Sequence, residues 1–76
     1  MPQPPSTQPA LGQRLRALRK KSKKSLFEVA YESGATPQAL SMWERGEREP
    51  RARFIRALAE TYGVSTDDLI GEKAAS

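Results

Sequence analysis

Cysteine and histidine are both missing from this 76-residue chain. Without Cys there is no disulfide framework and no thiolate metal site, and without His the commonest metal ligand and general base are gone too. No apolar run reaches the length of a transmembrane helix or a signal-peptide core, so no membrane-spanning segment is expected. A catalytic centre would have to be built from carboxylates, Lys and Tyr, and no such set stands at a recognisable spacing. The chain is also too short to enclose a deep substrate pocket. These absences leave a small binding module with no cofactor and no metal. One domain of this size buries roughly 60% of its unfolded surface and is only marginally stable.

Acid is missing from the first 24 residues, which carry Arg14, Arg16, Arg19, Lys20, Lys21, Lys23 and Lys24; the rest of the chain is mildly acidic, and the formal net charge is +4. A charge run is ordinarily a solvated face. Ahead of it, residues 1–8 contain Pro2, Pro4 and Pro5 among Gln, Ser and Thr, a composition that reads as a disordered tail. Residues 72–76 read as a polar end or the start of a linker, which leaves 9–71 as the folded domain. Within it, Leu11, Leu15 and Leu18 recur at helical spacing and predict a first helix from near Pro9 to about Ser22. Phe54, Ile55, Leu58, Ala59 and Tyr62 predict a fourth helix after Pro50, closed by Gly63. Ser65-Thr66-Asp67-Asp68 starts a short fifth helix holding Leu69 and Ile70. Nothing alternates with period two, so the class is all-α.

The most informative stretch runs from Ser25 to Gly46. Ser25-Leu26-Phe27-Glu28 is a Ser-x-x-Glu capping box that opens a helix ending at Gly34. Thr36 can cap the next helix, and Pro37 suits its first turn because a missing N–H there would have been unpaired anyway. On this second helix, with Gln38 at about 0°, Arg45, Ser41 and Met42 fall near 340°, 300° and 40°, and Leu40 and Trp43 near 200° and 140°. One face is therefore slim and polar, the other large and apolar. Such a helix suits a DNA major groove, where Gln bonds adenine bidentately and Met touches a thymine methyl. Taken alone, it fits an ordinary amphipathic surface helix equally well.

From Leu11 to Ile70 the chain resembles the Cro/repressor-type helix-turn-helix family, also called the xenobiotic-response-element type. With Leu26 as the first motif position, the resemblance is carried by Val29, Ala30, Gly34, Ala35, Leu40 and Trp43. It continues through Glu44-Arg45-Gly46, Pro50 and Gly63-Val64-Ser65 ahead of Leu69-Ile70. It implies a compact five-helix bundle of the lambda-repressor-like type. The expected function is sequence-specific binding of double-stranded DNA by helix 37–45, as a transcriptional regulator and repressor. Gln38, Ser41 and Met42 are the expected base contacts. Thr36, Arg45, Arg48, Lys24 and Ser25 are the expected backbone contacts, with Arg51 and Arg53 as further candidates. A homodimer on a pseudo-palindromic operator and a cytoplasmic, nucleoid-associated location also follow from the resemblance. It further implies a partly buried salt bridge between Arg19 and Glu44 that fixes the recognition helix.

The sequence departs from the family where Leu26 replaces a phosphate-binding Gln, where Pro37 removes a base-reading side chain, and where Lys23 and Lys24 replace a Gly and an apolar residue. The expected core is Leu15, Leu18, Val29, Ala30, Leu40, Trp43, Ile55, Leu58 and Tyr62. Trp43 and Tyr62 are placed there rather than as base-stacking platforms because they keep step with apolar neighbours. Three placements fit Phe27: against sugar and backbone, in a dimer contact, or tucked under Lys24. Leu26 and Phe27, apolar at a usually wet helix start, also keep open an alternative in which the main partner is another protein.

Overall fold

The computed structural model describes residues 8–70, with side chains from Leu11 onward. Five helices follow in order: α1 (Gln8–Lys21), α2 (Leu26–Ser33), α3 (Pro37–Glu44), α4 (Ala52–Tyr62) and α5 (Thr66–Ile70). Helix α1 opens at Gln8, one residue before the expected start, with Pro9 in its first turn. The expected tails otherwise lie outside the described residues. Among the described residues there is no strand, and no helix is long and apolar enough to cross a membrane.

Most of the turns between helices are closed by the chemistry their own residues supply. Ser25 Oγ accepts from Glu28 N at 3.1 Å while Ser25 N donates to Glu28 Oε1 at 2.8 Å, so two N–H groups are satisfied reciprocally. Helix α2 closes at Gly34, after which Ala35 N donates to Ala30 O at 2.9 Å. Thr36 Oγ1 accepts from Ala39 N at 3.0 Å and Pro37 fills the first turn of α3. Ser65 Oγ accepts from Asp68 N at 3.0 Å to start α5. Arg51, at the start of α4, makes no side-chain cap. That helix is held by packing instead.

Leu15, Val29, Leu40, Leu58 and Leu69 are completely buried, one from each helix in turn. Ala30, Trp43 and Ala59 complete the buried centre. Trp43 meets Phe54 with ring centroids 5.2 Å apart and planes tilted by 46°, a favourable offset for two quadrupoles. Leu18, Ile55 and Tyr62, expected in the core, sit half-buried at its rim, and their central places are taken by Ala59 and Leu69. The reason is the short α5. Leu69 fills the centre between α1 and α4, which leaves the flanking stripe residues to border solvent.

Ser33 brings a polar side chain into this centre. Its hydroxyl donates to Val29 O at 2.8 Å and so stays satisfied inside the helix it belongs to. With α2 and α3 each only 8 residues long, neither would persist alone. The bundle holds them.

Candidate nucleic-acid interface

The outward face of α3 gathers Gln38, Ser41, Met42 and Arg45 around one shallow concavity of about 430 Å³. Leu40 and Trp43 on the opposite face are buried and anchor the helix. Gln38 is exposed, and Ser41 and Met42 are half-buried along the strip. Thr36 stands at its beginning, committed through its hydroxyl to the cap.

Two features lock α3 from behind. Arg19 Nε donates to Glu44 Oε2 at 2.8 Å and Arg19 Nη2 to Glu44 Oε1 at 3.0 Å, a fork-to-fork pair with side chains 15% and 5% exposed. The hydrogen bond to Glu44 pushes the Arg19 guanidinium above its ordinary pKa against an opposing effect of burial. Arg19 Nη1 also donates to Lys24 O at 3.3 Å, so one guanidinium ties α1 to both the α3 end and the turn before α2. Beside it, burial pushes the Tyr62 hydroxyl far above its usual range, with the nearby Glu44 charge adding to the shift.

The second lock is Gly12, which the sequence reading passed over. A Cβ built there would stand 2.5 Å from Glu44 O and 2.6 Å from Trp43 O. No side chain fits, so α1 crosses backbone against backbone at the end of α3. The signal was available: a Gly within a helical leucine stripe costs about 1 kcal/mol relative to Ala and needs a packing reason.

The C-terminal end of α3 is a Schellman turn. Gly46 N donates to Trp43 O at 3.1 Å and Glu47 N to Met42 O at 2.9 Å, with Gly46 at φ 77°. The left-handed residue folds the chain back and sets Glu47 beside Arg45. Arg45 Nε donates to Glu47 Oε2 at 2.8 Å, Arg45 Nη2 to Glu47 Oε1 at 3.1 Å, and Arg45 Nη1 to Ser41 Oγ. The pair raises the Arg45 pKa and lowers that of Glu47, chiefly through this hydrogen bonding. Glu47 was not anticipated, because its role depends on a turn rather than on helical spacing.

The expected backbone-contact residues are dispersed around this strip. Ser25 is exposed at the α2 start with its hydroxyl in the capping box, and Arg48 is exposed past the Schellman turn. Lys24 Nζ is turned toward Glu32 Oε1 at 2.7 Å, so its charge is partly engaged within the protein. Arg51 and Arg53 are exposed, and the Arg53 guanidinium lies 4.9 Å from the Phe54 ring centroid. Lys23, where the family usually has Gly, holds the left-handed conformation at φ 58°. A side chain in that region costs about 1–2 kcal/mol, and Lys23 N donating to Lys20 O at 3.0 Å helps to hold it. Phe27 is 72% exposed and so does not tuck under Lys24; Tyr31, one turn on, is 87% exposed.

Comparison with known proteins agrees with this geometry. Residues 10–71 match the family model described as a helix-turn-helix domain. Repressor protein C2 of Salmonella phage P22 is 37% identical over 60 residues, which are 79% of this chain and 28% of that protein. The chain therefore spans little more than a quarter of that curated relative. Among solved structures, the clp gene regulator ClgR from Corynebacterium glutamicum superposes with a TM-score of 0.80 at 32% identity, over 95% of this chain and 94% of the other. The P22 c2 repressor in complex with a synthetic operator gives 0.75 at 37% identity, over 78% and 89%. The restriction-modification controller protein C.AhdI from Aeromonas hydrophila gives 0.77 at 31%, over 80% and 92%. With the five helices, the capped α2–α3 pair and these similarities in place, the chain belongs to the Cro/repressor-type helix-turn-helix family.

Proposed function

We propose that this domain binds double-stranded DNA sequence-specifically through α3 in the major groove and serves as a transcriptional regulator, a repressor that acts by occupying promoter DNA. The observation that carries the reading is the outward strip of Gln38, Ser41, Met42 and Arg45 on a helix whose other face is locked into the core. Gln38 offers both a donor and an acceptor to an adenine edge, Ser41 a hydroxyl, and Met42 an apolar contact for a thymine methyl. Thr36, Ser25, Arg48 and Lys24 are assigned to the phosphate backbone, with the N–H groups at the α2 start adding to them. The operator complex of the P22 c2 repressor supports the reading by similarity. Cytoplasmic, nucleoid-associated residence goes with this role.

A homodimer on a pseudo-palindromic operator is part of the proposal, with half-sites about one helical turn apart. The apolar groove between α4 and α5, lined by Ala52, Ile55, Arg56, Thr66 and Ile70, is the surface assigned to the second copy. The exposed Phe27 and Tyr31 favour a second reading in which α2 also meets a protein partner.

Selection of tight-binding duplexes from a random pool tests the reading and returns site, symmetry and half-site spacing together. Gln38→Ala should then lose about 1–3 kcal/mol at one base position and flatten preference there. A uniform loss across all sequences would remove Gln38 as a reader. A chain whose partner is only a protein would show neither duplex binding nor its steep salt dependence.

A further inference from the structure

Arg45 was expected on the phosphate backbone, yet its guanidinium is already spoken for on two sides. The Nε and Nη2 atoms donate to the two oxygens of Glu47, and Nη1 donates to Ser41 Oγ. An Arg has five N–H groups. With three engaged, one remains on each terminal nitrogen, the two donors that a guanine can take at O6 and N7. Ser41 is changed as well: with its oxygen accepting from Arg45, its hydroxyl proton is left to donate toward a base acceptor. Both side chains line the same concavity as Gln38 and Met42.

We propose that Glu47 is a specificity-determining positioning residue that aims Arg45 at a base pair and prevents it from serving as a free phosphate contact. The carboxylate does this in two ways. Its fork fixes the guanidinium plane alongside Ser41, and its charge cancels that of Arg45, so the end of α3 carries little attraction for phosphate as such. The Schellman turn at Gly46 makes the arrangement possible, since it places Glu47 two residues after Arg45 with the backbone reversed. The mutually opposite pKa shifts of the two side chains are in keeping with a pair formed in the free protein. The inference rests on α3 being the DNA-reading helix.

The test uses the duplex selected by the wild-type chain, its single-base-pair variants and a random duplex, each titrated across a range of salt. Arg45→Ala should lose about five- to hundredfold discrimination at one base pair, with little change in salt slope. Glu47→Gln should lose preference at that same base pair, bind random duplex more tightly and steepen the salt slope by about one unit, because the released Arg45 now neutralises a phosphate. Glu47→Asp keeps the charge but is one methylene too short for the fork, so it should lose the preference with the slope unchanged. Both positions of the pair are exposed enough that the melting curves of all three variants should coincide with wild type. If Glu47→Gln changes affinity for every duplex by the same factor and leaves every base preference intact, or if Glu47→Asp keeps full preference, the role of Glu47 is overturned while DNA reading by α3 stands. A wild-type chain that binds no duplex at low salt overturns both.

Discussion

Two Arg–Glu forks end α3 on its inner and outer sides, built from the adjacent residues Glu44 and Arg45. Their geometry is nearly identical: Arg19 reaches Glu44 at 2.8 and 3.0 Å, and Arg45 reaches Glu47 at 2.8 and 3.1 Å. Their surroundings are opposite, with side chains 15% and 5% exposed in the first and 52% and 54% in the second. Distance alone would rank them as equals. Burial separates them, because a fork in water competes with solvent and salt, whereas a desolvated charge stripped of its partner has nowhere to turn. The inner fork holds the helix and the outer one shapes what the helix presents.

The comparison breaks most visibly at Glu44. Glu44→Ala leaves Arg19 charged and largely enclosed and should cost about 3–5 kcal/mol, a large share of the roughly 5–15 kcal/mol typical of a domain. Denaturant unfolding monitored at Trp43 measures it, and an unchanged midpoint would demote the inner fork to the status of the outer one. Gly12→Ala, which pushes a methyl against the carbonyls at the same helix end, should cost about 1–3 kcal/mol as an overpacking change, reversing the gain expected of Gly→Ala in an open helix. A smaller effect is expected at alkaline pH. Because burial holds the Tyr62 proton in the folded state, that residue contributes stability below the unfolded Tyr pKa of about 10 and loses it as pH rises beyond. The melting temperature of Tyr62→Phe relative to wild type should therefore stay level below about pH 10 and climb as pH rises above it. Smallest of all is Glu47→Ala, for which the melting curve should not move; a clear drop would show that the outer fork also supports the fold.

The same contrast explains what could be read in advance. Caps at Ser25, Thr36 and Ser65 and the closure at Gly34 were legible because each satisfies backbone groups within a few residues of itself. The apolar strip and the polar strip of α3 followed from the 100° step of a helix. Arg19 and Glu44 lie 25 residues apart, so no local rule joins them, and only the family resemblance supplied that pair. The Arg45–Glu47 fork is local but crosses a reversal of chain direction at Gly46, where helical spacing no longer holds. Likewise Leu18, Ile55 and Tyr62 carry the right periodicity for the core, but periodicity gives a face rather than a depth. Depth was set by where Leu69 of the short α5 came to rest.

The contact at Gly12 turns α3 into a lever with one fixed end. The helix is about 12 Å long, and its carbonyl end rests directly on the α1 backbone, with a hydrogen atom where other residues carry a methyl. A shift of about 1 Å at that end would tilt the helix by roughly 5°, and on the proposed DNA-reading role of α3 a displacement of that size is enough to spoil hydrogen-bond geometry at a base edge. Transplanting Gln38, Ser41, Met42 and Arg45 onto another helix-turn-helix scaffold would thus carry over the lettering without the pitch. On the proposed reading, the same four residues on a bundle with a bulkier residue at the Gly12 position would be held at a different angle, so that position would have to be exchanged together with the strip.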